Sequence, residues 1–292
     1  MSYTVKKHDL GYYFISPVPS EQELKDYYEK KYYQDLTVSS YQESYSKNEL
    51  AVLKIDAELG NDLFVQDSKK ETKELLDIAC GEGFFMKNME ELGWKVHGTD
   101  YSSHGIKNKN PNLLDKVIYG ELNPVLEKLI QKNKTFDFIN LGNILEHVIS
   151  PIDLLNKCHN LLSQEGVLRV KVPNDFSHLQ QYVTKNKSIN SYWVHPPDHL
   201  SYFNFDSLPK VLDHCNFDVY KMLGDFPIEF FLLHPESNYI DKKVGKKAHQ
   251  ARIDYTLNLW KSDKMKYLDV FTGFAKAKIS RSCIAYIGKQ KK

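Results

Sequence analysis

Two glycines, Gly81 and Gly83, stand one residue apart in the stretch Asp77-Ile78-Ala79-Cys80-Gly81-Glu82-Gly83-Phe84-Phe85. Glycine there lets the backbone approach a ligand closely, because no Cβ stands in the way. Asp100 follows Gly83 by seventeen residues. If both segments end strands, that carboxylate can accept both hydroxyl hydrogens of a ribose. A dinucleotide site would instead read Gly-x-Gly-x-x-Gly, so that a pyrophosphate could sit on a helix N-terminus. Here Asp77 precedes the loop and Glu82 lies in it, and two carboxylates oppose a pyrophosphate and suit a ligand with a cationic portion.

The surrounding pattern supplies the elements such a loop needs. Leu75 to Ala79 is a short apolar run, and Phe84, Met86, Met89 and Leu92 carry helical spacing up to Gly93, which reads as strand, tight loop, helix. Further strands are expected at Lys95 to Thr99, Lys116 to Tyr119, Phe136 to Leu141 and Gly166 to Val172, with helices at Asn123 to Gln131 and from Pro151. This alternation predicts an α/β, doubly wound Rossmann-like sheet with helices on both faces, whose ligands bind at the carboxyl ends of the strands. Before it, Leu24 to Lys30 and Ser46 to Leu59 have helical spacing, with Leu50, Leu53, Ile55 and Leu59 as the buried stripe. After it come a helix at Asp206 to His214, a strand at Phe217 to Leu223, a Lys-rich helical region from Pro235 to Lys266, and a final strand at Cys283 to Gly288.

The stretch from Leu76 to Phe85 resembles motif I of the class I methyltransferases that use S-adenosylmethionine (SAM), with Ala79 where that family usually has its first Gly. Gly98-Thr99-Asp100-Tyr101-Ser102 resembles the second motif and Tyr119-Gly120-Glu121-Leu122 the third. Phe136 to Ile139, continuing through Leu141-Gly142-Asn143-Ile144-Leu145-Glu146-His147-Val148, resembles the fourth. The resemblance implies a seven-stranded sheet with an antiparallel last strand, a helical N-terminal cap and a C-terminal helical insertion. It implies one domain over 1–292: a cap at 1–70, a SAM-binding core at 71–174, and a substrate loop, insertion and last strands at 175–292. SAM contacts are expected at Asp77, Ala79, Cys80, Gly81, Gly83, Phe84, Asp100, Tyr101, Ser102, Leu141 and Asn143, with Glu121 and the Leu122 amide at the adenine. Pro17 to Tyr33 is similar to bacterial members found in surface-carbohydrate and modified-sugar pathways, capsule assembly included.

Methyl transfer from a sulfonium is an in-line displacement, so the protein mainly aligns the acceptor and removes a proton if the acceptor is a hydroxyl. Histidine titrates in the useful range. His147 follows the fourth core strand, and His195 and His199 lie in the aromatic-rich loop from Tyr192 to Phe203. These three are the candidate bases or orienting groups. Tyr202, Tyr192, Tyr33 and Asn174 are expected to face the acceptor, and the nineteen tyrosines are expected to supply a lid and polar wall from the cap and this loop.

Composition sets the remaining limits. Thirty-nine basic and thirty-eight acidic residues leave a net charge of +1, so no whole-molecule field favours nucleic acid or an anionic membrane. No apolar run approaches the roughly 20 residues of a bilayer span, and a cytoplasmic protein with a small-molecule acceptor is expected. Cys80, Cys158, Cys215 and Cys283 show neither CxxC nor zinc-ligand spacing, and no carboxylate cluster marks a divalent-metal site, so no metal is expected. Lys242-Lys243-Val244-Gly245-Lys246-Lys247 reads first as a solvated face. Oligomeric state is not written in the chain. The expected activity is SAM-dependent methylation of an oxygen on a small polar metabolite. Nitrogen or carbon methylation, a NAD-dependent oxidoreductase and a non-catalytic SAM-binding subunit are the alternatives. Isothermal titration separates them first: SAM binds, NAD does not, and Asp100→Ala abolishes SAM binding; NAD binding in place of SAM would contradict the reading.

Overall fold

The computed structural model describes residues 3–27, 44–65, 73–187 and 189–291. The chain opens with β1 (Thr4–Lys7), β2 (Tyr13–Ser16), α1 (Glu21–Tyr27) and α2 (Lys47–Val65). The core follows as β3 (Glu74–Ile78), α3 (Phe84–Glu91), β4 (Lys95–Asp100), α4 (His104–Lys109), β5 (Val117–Tyr119), α5 (Leu122–Gln131), β6 (Phe136–Gly142), α6 (Pro151–Leu161) and β7 (Leu162–Pro173). The last third holds α7 (His178–Lys187), β8 (Ser201–Tyr202), α8 (Leu208–His214), β9 (Phe217–Leu223), α9 (Glu229–Leu233), α10 (Gly245–Ser262), α11 (Lys264–Lys276) and β10 (Ser282–Lys289).

Seven strands form the main sheet in the order β5-β4-β3-β6-β7-β10-β9. The first five are mutually parallel, and β10 runs antiparallel to both β7 and β9, as expected. Strand order reverses between β3 and β6, which creates a crevice at their carboxyl ends. Helices cover both faces, so β6 is buried from Phe136 to Leu141 and reads as a near-continuous apolar run. Polar Asp137 and Asn140 interrupt it. Pro151 pre-sets the first turn of α6, and Leu154, Leu155, Cys158 and Leu161 bury one of its faces. Asp263 caps α11, accepting from the amides of Met265 (2.8 Å) and Lys266 (3.1 Å).

Two features differ from the sequence reading. The cap carries strands as well as helices: β1, β2 and β8 make a separate antiparallel sheet, with Tyr13 opposite Tyr202. Ile15 is its buried centre, among Trp193, Leu200 and Tyr202. A strand of four residues whose partner lies beyond the fifth core strand leaves no local periodic signal. Within α2, Ile55 and Leu59 are buried as expected, but Leu50 is 41% exposed, and Ala57 and Phe64 are buried as well. Gly60 lets this helix lie close on the sheet: a Cβ there would lie 3.0 Å from the Phe138 ring. The insertion packs on α2 through polar ties, Asn48 to Asp254 at 2.9 Å and His249 to Glu49 at 2.9 Å. Among the described residues, no helix is long and apolar enough to cross a membrane.

Phe138 is wholly buried, with the Trp94 and Phe85 rings at 5.8 and 6.0 Å and α2 close above it. Phe138→Ala is expected to cost about 3–5 kcal/mol, read as a lower urea midpoint at unchanged slope. A midpoint within error of the parent would contradict this packing.

Candidate active site

The loop after β3 is built on left-handed backbone: φ is 55° at Ala79, 58° at Gly81 and 77° at Gly83. Only glycine adopts this region without strain, which is the physical sense of the Ala79 departure from the usual glycine. A Cβ on Gly83 would meet Ile106 Cδ1 at 2.4 Å, and one on Gly105 would meet the Gly81 carbonyl oxygen at 2.6 Å. The loop is tied to β4 as well. The Cys80 amide donates to the Thr99 carbonyl (2.9 Å) and the Gly81 amide to Asp100 Oδ2 (2.8 Å), while Asp100 Oδ1 accepts from the Ser102 amide (3.0 Å). Backbone donors thus fix the Asp100 carboxylate at the lip of the sheet.

A cleft of about 1080 Å³ opens over the ends of β3, β4, β6 and β7. Of the expected cofactor contacts, Asp77, Ala79, Cys80, Gly81, Gly83, Phe84, Asp100, Tyr101, Glu121, Leu122 and Asn143 line it. Ser102 and Leu141 do not line it: the Ser102 amide holds Asp100, and Leu141 is wholly buried in the core. Tyr45 of the cap joins the lining; its hydroxyl donates to Glu82 and its ring meets Phe84 edge-on at 5.1 Å.

Of the three histidines, only His147 lines the cleft. Its Nδ1 lies 2.8 Å from the Asp198 carbonyl oxygen and 3.4 Å from Asp198 Oδ1, with Glu146 Oε1 3.8 Å from Nε2. The His199 ring packs behind it, centroid to centroid 4.8 Å, and the His199 amide donates to the carbonyl of exposed His195. Tyr202 is buried in β8 with its hydroxyl donating to the His199 carbonyl, and Tyr192 donates to Glu229 Oε1 at 3.3 Å. Asn174 donates to the Ser280 carbonyl at 2.8 Å, fixing the approach to β10. None of His195, His199, Tyr192, Tyr202 and Asn174 lines the cleft, and of these His199 packs against His147. Tyr33 lies outside the described residues.

Among the lining residues not read from the sequence as site residues, four form one polar row: Asp56 on α2, Asn140 on β6, and Arg169 and Lys171 on β7. Asn140 Nδ2 donates to Asp77 Oδ1 (2.7 Å), Arg169 Nη1 to Asn140 Oδ1 (2.9 Å), and Arg169 Nη2 to Asp56 Oδ2 (2.6 Å). The signal was present, because a charged residue inside the apolar run Leu168-Arg169-Val170 needs a buried partner.

Burial sets the electrostatics. It pushes Asp77 up to about 7, against the Asn140 hydrogen bond and the Arg169 charge, and it raises Asp100 and Glu82 as well. Burial would also raise Asp56, but Arg169 and Lys171 hold it below its ordinary value. Burial takes Glu146 to about 7. His147 goes the other way: burial would lower it, yet the Asp198 hydrogen bond and the charges of Glu146 and Asp198 raise it to about 9. Burial and the His147 charge depress His199 to about 3. Among the described residues, Glu146, His147 and His199 bring one donor atom each within 4.8 Å of one another. Glu146 and Asp198, on either side of His147, favour its imidazolium form.

The sheet order, the glycine loop and the acid at the end of β4 define a nucleotide-binding α/β enzyme fold of the methyltransferase type. The methyltransferase-domain family matches residues 54–222, more than half of the chain, and the chain belongs to the class I SAM-dependent methyltransferases. It is 29% identical over 109 residues to the ubiquinone biosynthesis O-methyltransferase of Glaesserella parasuis, covering 35% of this chain and 46% of that protein. The chain thus spans under half the length of the curated relatives it matches. A SAM-dependent methyltransferase from Archaeoglobus fulgidus shares the fold at a TM-score of 0.51 and 18% identity, over 82% of this chain and 94% of that one. The plantazolicin methyltransferase BpumL, in complex with S-adenosylhomocysteine (SAH), does so at 0.52 and 15%, over 92% and 98%.

The chemistry of the lining fits SAM: Gly81 and Gly83 bring backbone to the cleft without a Cβ, and the Asp77 and Asp100 carboxylates line it as acceptors of the kind an ammonium and a ribose require. Because burial pushes Asp77 up to about 7 and a cation beside it would favour its ionised form, binding of a cationic ligand there would expel a proton below that pH. SAM affinity is therefore expected to rise with pH up to about 7 and then level off, by up to about tenfold per unit on the acid side. Calorimetry from pH 5.5 to 8 reads this, and Asp77→Asn should flatten the profile; a profile already flat in the parent protein would contradict the Asp77 assignment.

Proposed function

We propose that this chain transfers the methyl group of SAM to an oxygen of a small polar metabolite. The acceptor we favour is a carbohydrate, nucleotide-linked or phosphorylated intermediate of surface-polysaccharide biosynthesis. The observation that carries the oxygen is His147, a titratable side chain held by Asp198 on the cleft wall beside Asn143 and Ile144. The relatives named O-methyltransferases support the same atom.

Beyond His147, buried polar atoms lack hydrogen-bond partners in the protein: Glu146 Oε2, His199 Nδ1, Asp175 Oδ2, Trp193 Nε1 and Glu229 Oε2. Most are acceptors and two are donors. Such a mixture suits buried water, which both gives and takes hydrogen bonds, and none of these residues lines the cleft itself.

SAM supplies an activated methyl on a cationic sulfur that leaves as a neutral thioether. The chain supplies the rest. Asp100 takes the ribose hydroxyls, Glu121 and the Leu122 amide face the adenine, and Asp77 faces the ammonium. Phe84 and Tyr45 exclude water on the loop side. His147 faces the acceptor. A positive charge entering the cleft disfavours its imidazolium, which brings the ring down from about 9 toward the range where it can take the hydroxyl proton, with Asp198 stabilising the imidazolium that results. His199 and His195 back the ring and set its orientation. Residues 1–292 act as one catalytic unit, and the free thiols of Cys80, Cys158, Cys215 and Cys283 suit a reducing cytoplasm.

The test begins with sugars, sugar nucleotides and phosphorylated metabolites, screened by mass for the gain of one methylene. With the acceptor in hand, kcat/KM is expected to rise with pH toward a plateau. His147→Gln should lower it about 10²–10⁴-fold while SAM affinity stays within a few-fold of the parent. Full turnover by His147→Gln would remove the base assignment.

A further inference from the structure

The floor of the cleft is a row of alternating charge. Asp77, Asn140 and Arg169 stand directly opposite one another on β3, β6 and β7, and Lys171 lies one step further along β7, opposite Gly142. Asp56 reaches down from α2 and accepts from Arg169 Nη2 at 2.6 Å and from Lys171 Nζ at a looser 3.4 Å. Two cations therefore share one carboxylate, and the shorter bond belongs to the arginine. Arg169 is 2% exposed and fixed on both sides, by Asn140 and Asp56, with the Phe85 ring 5.4 Å from its guanidinium. The Lys171 side chain is 22% exposed and lines the cleft.

The other lining charges are distributed differently. Lys25 pairs with Glu121 at 3.5 Å, and the wall toward β4 and β5 carries Glu82, Asp100 and Glu121. Carboxylates outnumber cations in the lining as a whole, and apart from Lys25 and His147 its cations stand together at β7, two strands from Asp77, where Arg169 and Lys171 share Asp56. A partly desolvated cation in excess of its counter-charge favours an anion beside it.

The distances fit one kind of anion. Adjacent strands lie about 4.8 Å apart and Lys171 stands two residues beyond the position opposite Asp77, so the two backbones are about 12 Å apart, a gap that the long lysine side chain shortens. An α-amino acid end group, with a hydrogen bond from its ammonium on one side and to its carboxylate on the other, spans roughly 9 Å. We infer that Lys171, steadied by Asp56 and backed by Arg169, receives the α-carboxylate of the methionine half of SAM while Asp77 faces its ammonium. Lys171 is then a determinant of cofactor recognition, selecting the whole amino acid rather than the nucleoside. The inference rests on the SAM reading of the cleft.

Calorimetric titration of the full chain with SAM and with decarboxylated SAM, which keeps the ammonium and sulfonium, tests it. The unaltered protein should prefer SAM. In Lys171→Met the dissociation constant for SAM should rise about tenfold to a hundredfold, the worth of a charge-assisted hydrogen bond, while that for decarboxylated SAM changes less than about twofold on the same scale. Lys171→Arg should keep the preference, and unchanged melting curves show that both variants fold. Equal weakening toward both molecules, or no change toward either, would overturn the inference. The second pattern, joined to a raised KM for the acceptor, would place the anion on the acceptor instead. Failure of the unaltered protein to bind either molecule would remove the cofactor reading itself, a result distinct from any change confined to the variants.

Discussion

A guanidinium buried in a β-sheet must be neutralised where it sits. Arg169 is 2% exposed in the middle of β7, and its partners determine how the rest of the molecule is arranged. Asp56 neutralises it from α2 at 2.6 Å, which fixes that helix over the sheet. Asn140 accepts from it and passes the polar contact on to Asp77. Removing one partner of such a buried pair typically costs about 3–5 kcal/mol, because the other charge is left unmatched. Helix α10 of the insertion packs on α2, and α11 packs on α10 and β9. A structural ion pair and the floor of the cleft are here the same set of atoms.

Two kinds of constraint meet above that floor. On the β3 and β4 side, left-handed backbone at Ala79, Gly81 and Gly83 brings main chain to the cleft, and amide donors fix Asp100. On the β6 and β7 side, the loop before β8 is latched onto the turn at Glu146 and His147. The Leu200 amide donates to the Glu146 carbonyl (2.8 Å), and the His147 ring meets Asp198. The first side presents main chain and a carboxylate fixed by backbone amides. The second is backed by buried polar atoms without protein partners, the kind of network that buried water completes.

The parallel core was legible in the sequence because its causes are local. Strands buried on both faces read as apolar runs, glycines mark the turn after β3, and an acid ends β4. What escaped depends on contacts between distant segments. Asp56 and Arg169 come together only once α2 lies on β7, and neither residue has a local pattern that names the other. The strand pair at the N-terminus becomes a sheet with β8, whose two residues, Ser201 and Tyr202, carry no periodicity of their own. The three histidines look alike in sequence, each in a loop after a core strand. Packing separates them: His147 faces the cleft, His199 sits behind it, and His195 is exposed. The tyrosine excess divides in the same way, with Tyr45 and Tyr101 on the cleft while Tyr202 fills the core of the small sheet.

The central claim is that this cleft holds SAM with its ribose at Asp100 and its amino acid half along the row from Asp77 to Lys171. A crystal structure of the protein with SAH tests it most directly. The account predicts both ribose hydroxyls within hydrogen-bonding distance of the Asp100 carboxylate and the homocysteine tail lying over Asn140. A nucleoside bound elsewhere, or a tail directed away from β7, would contradict it.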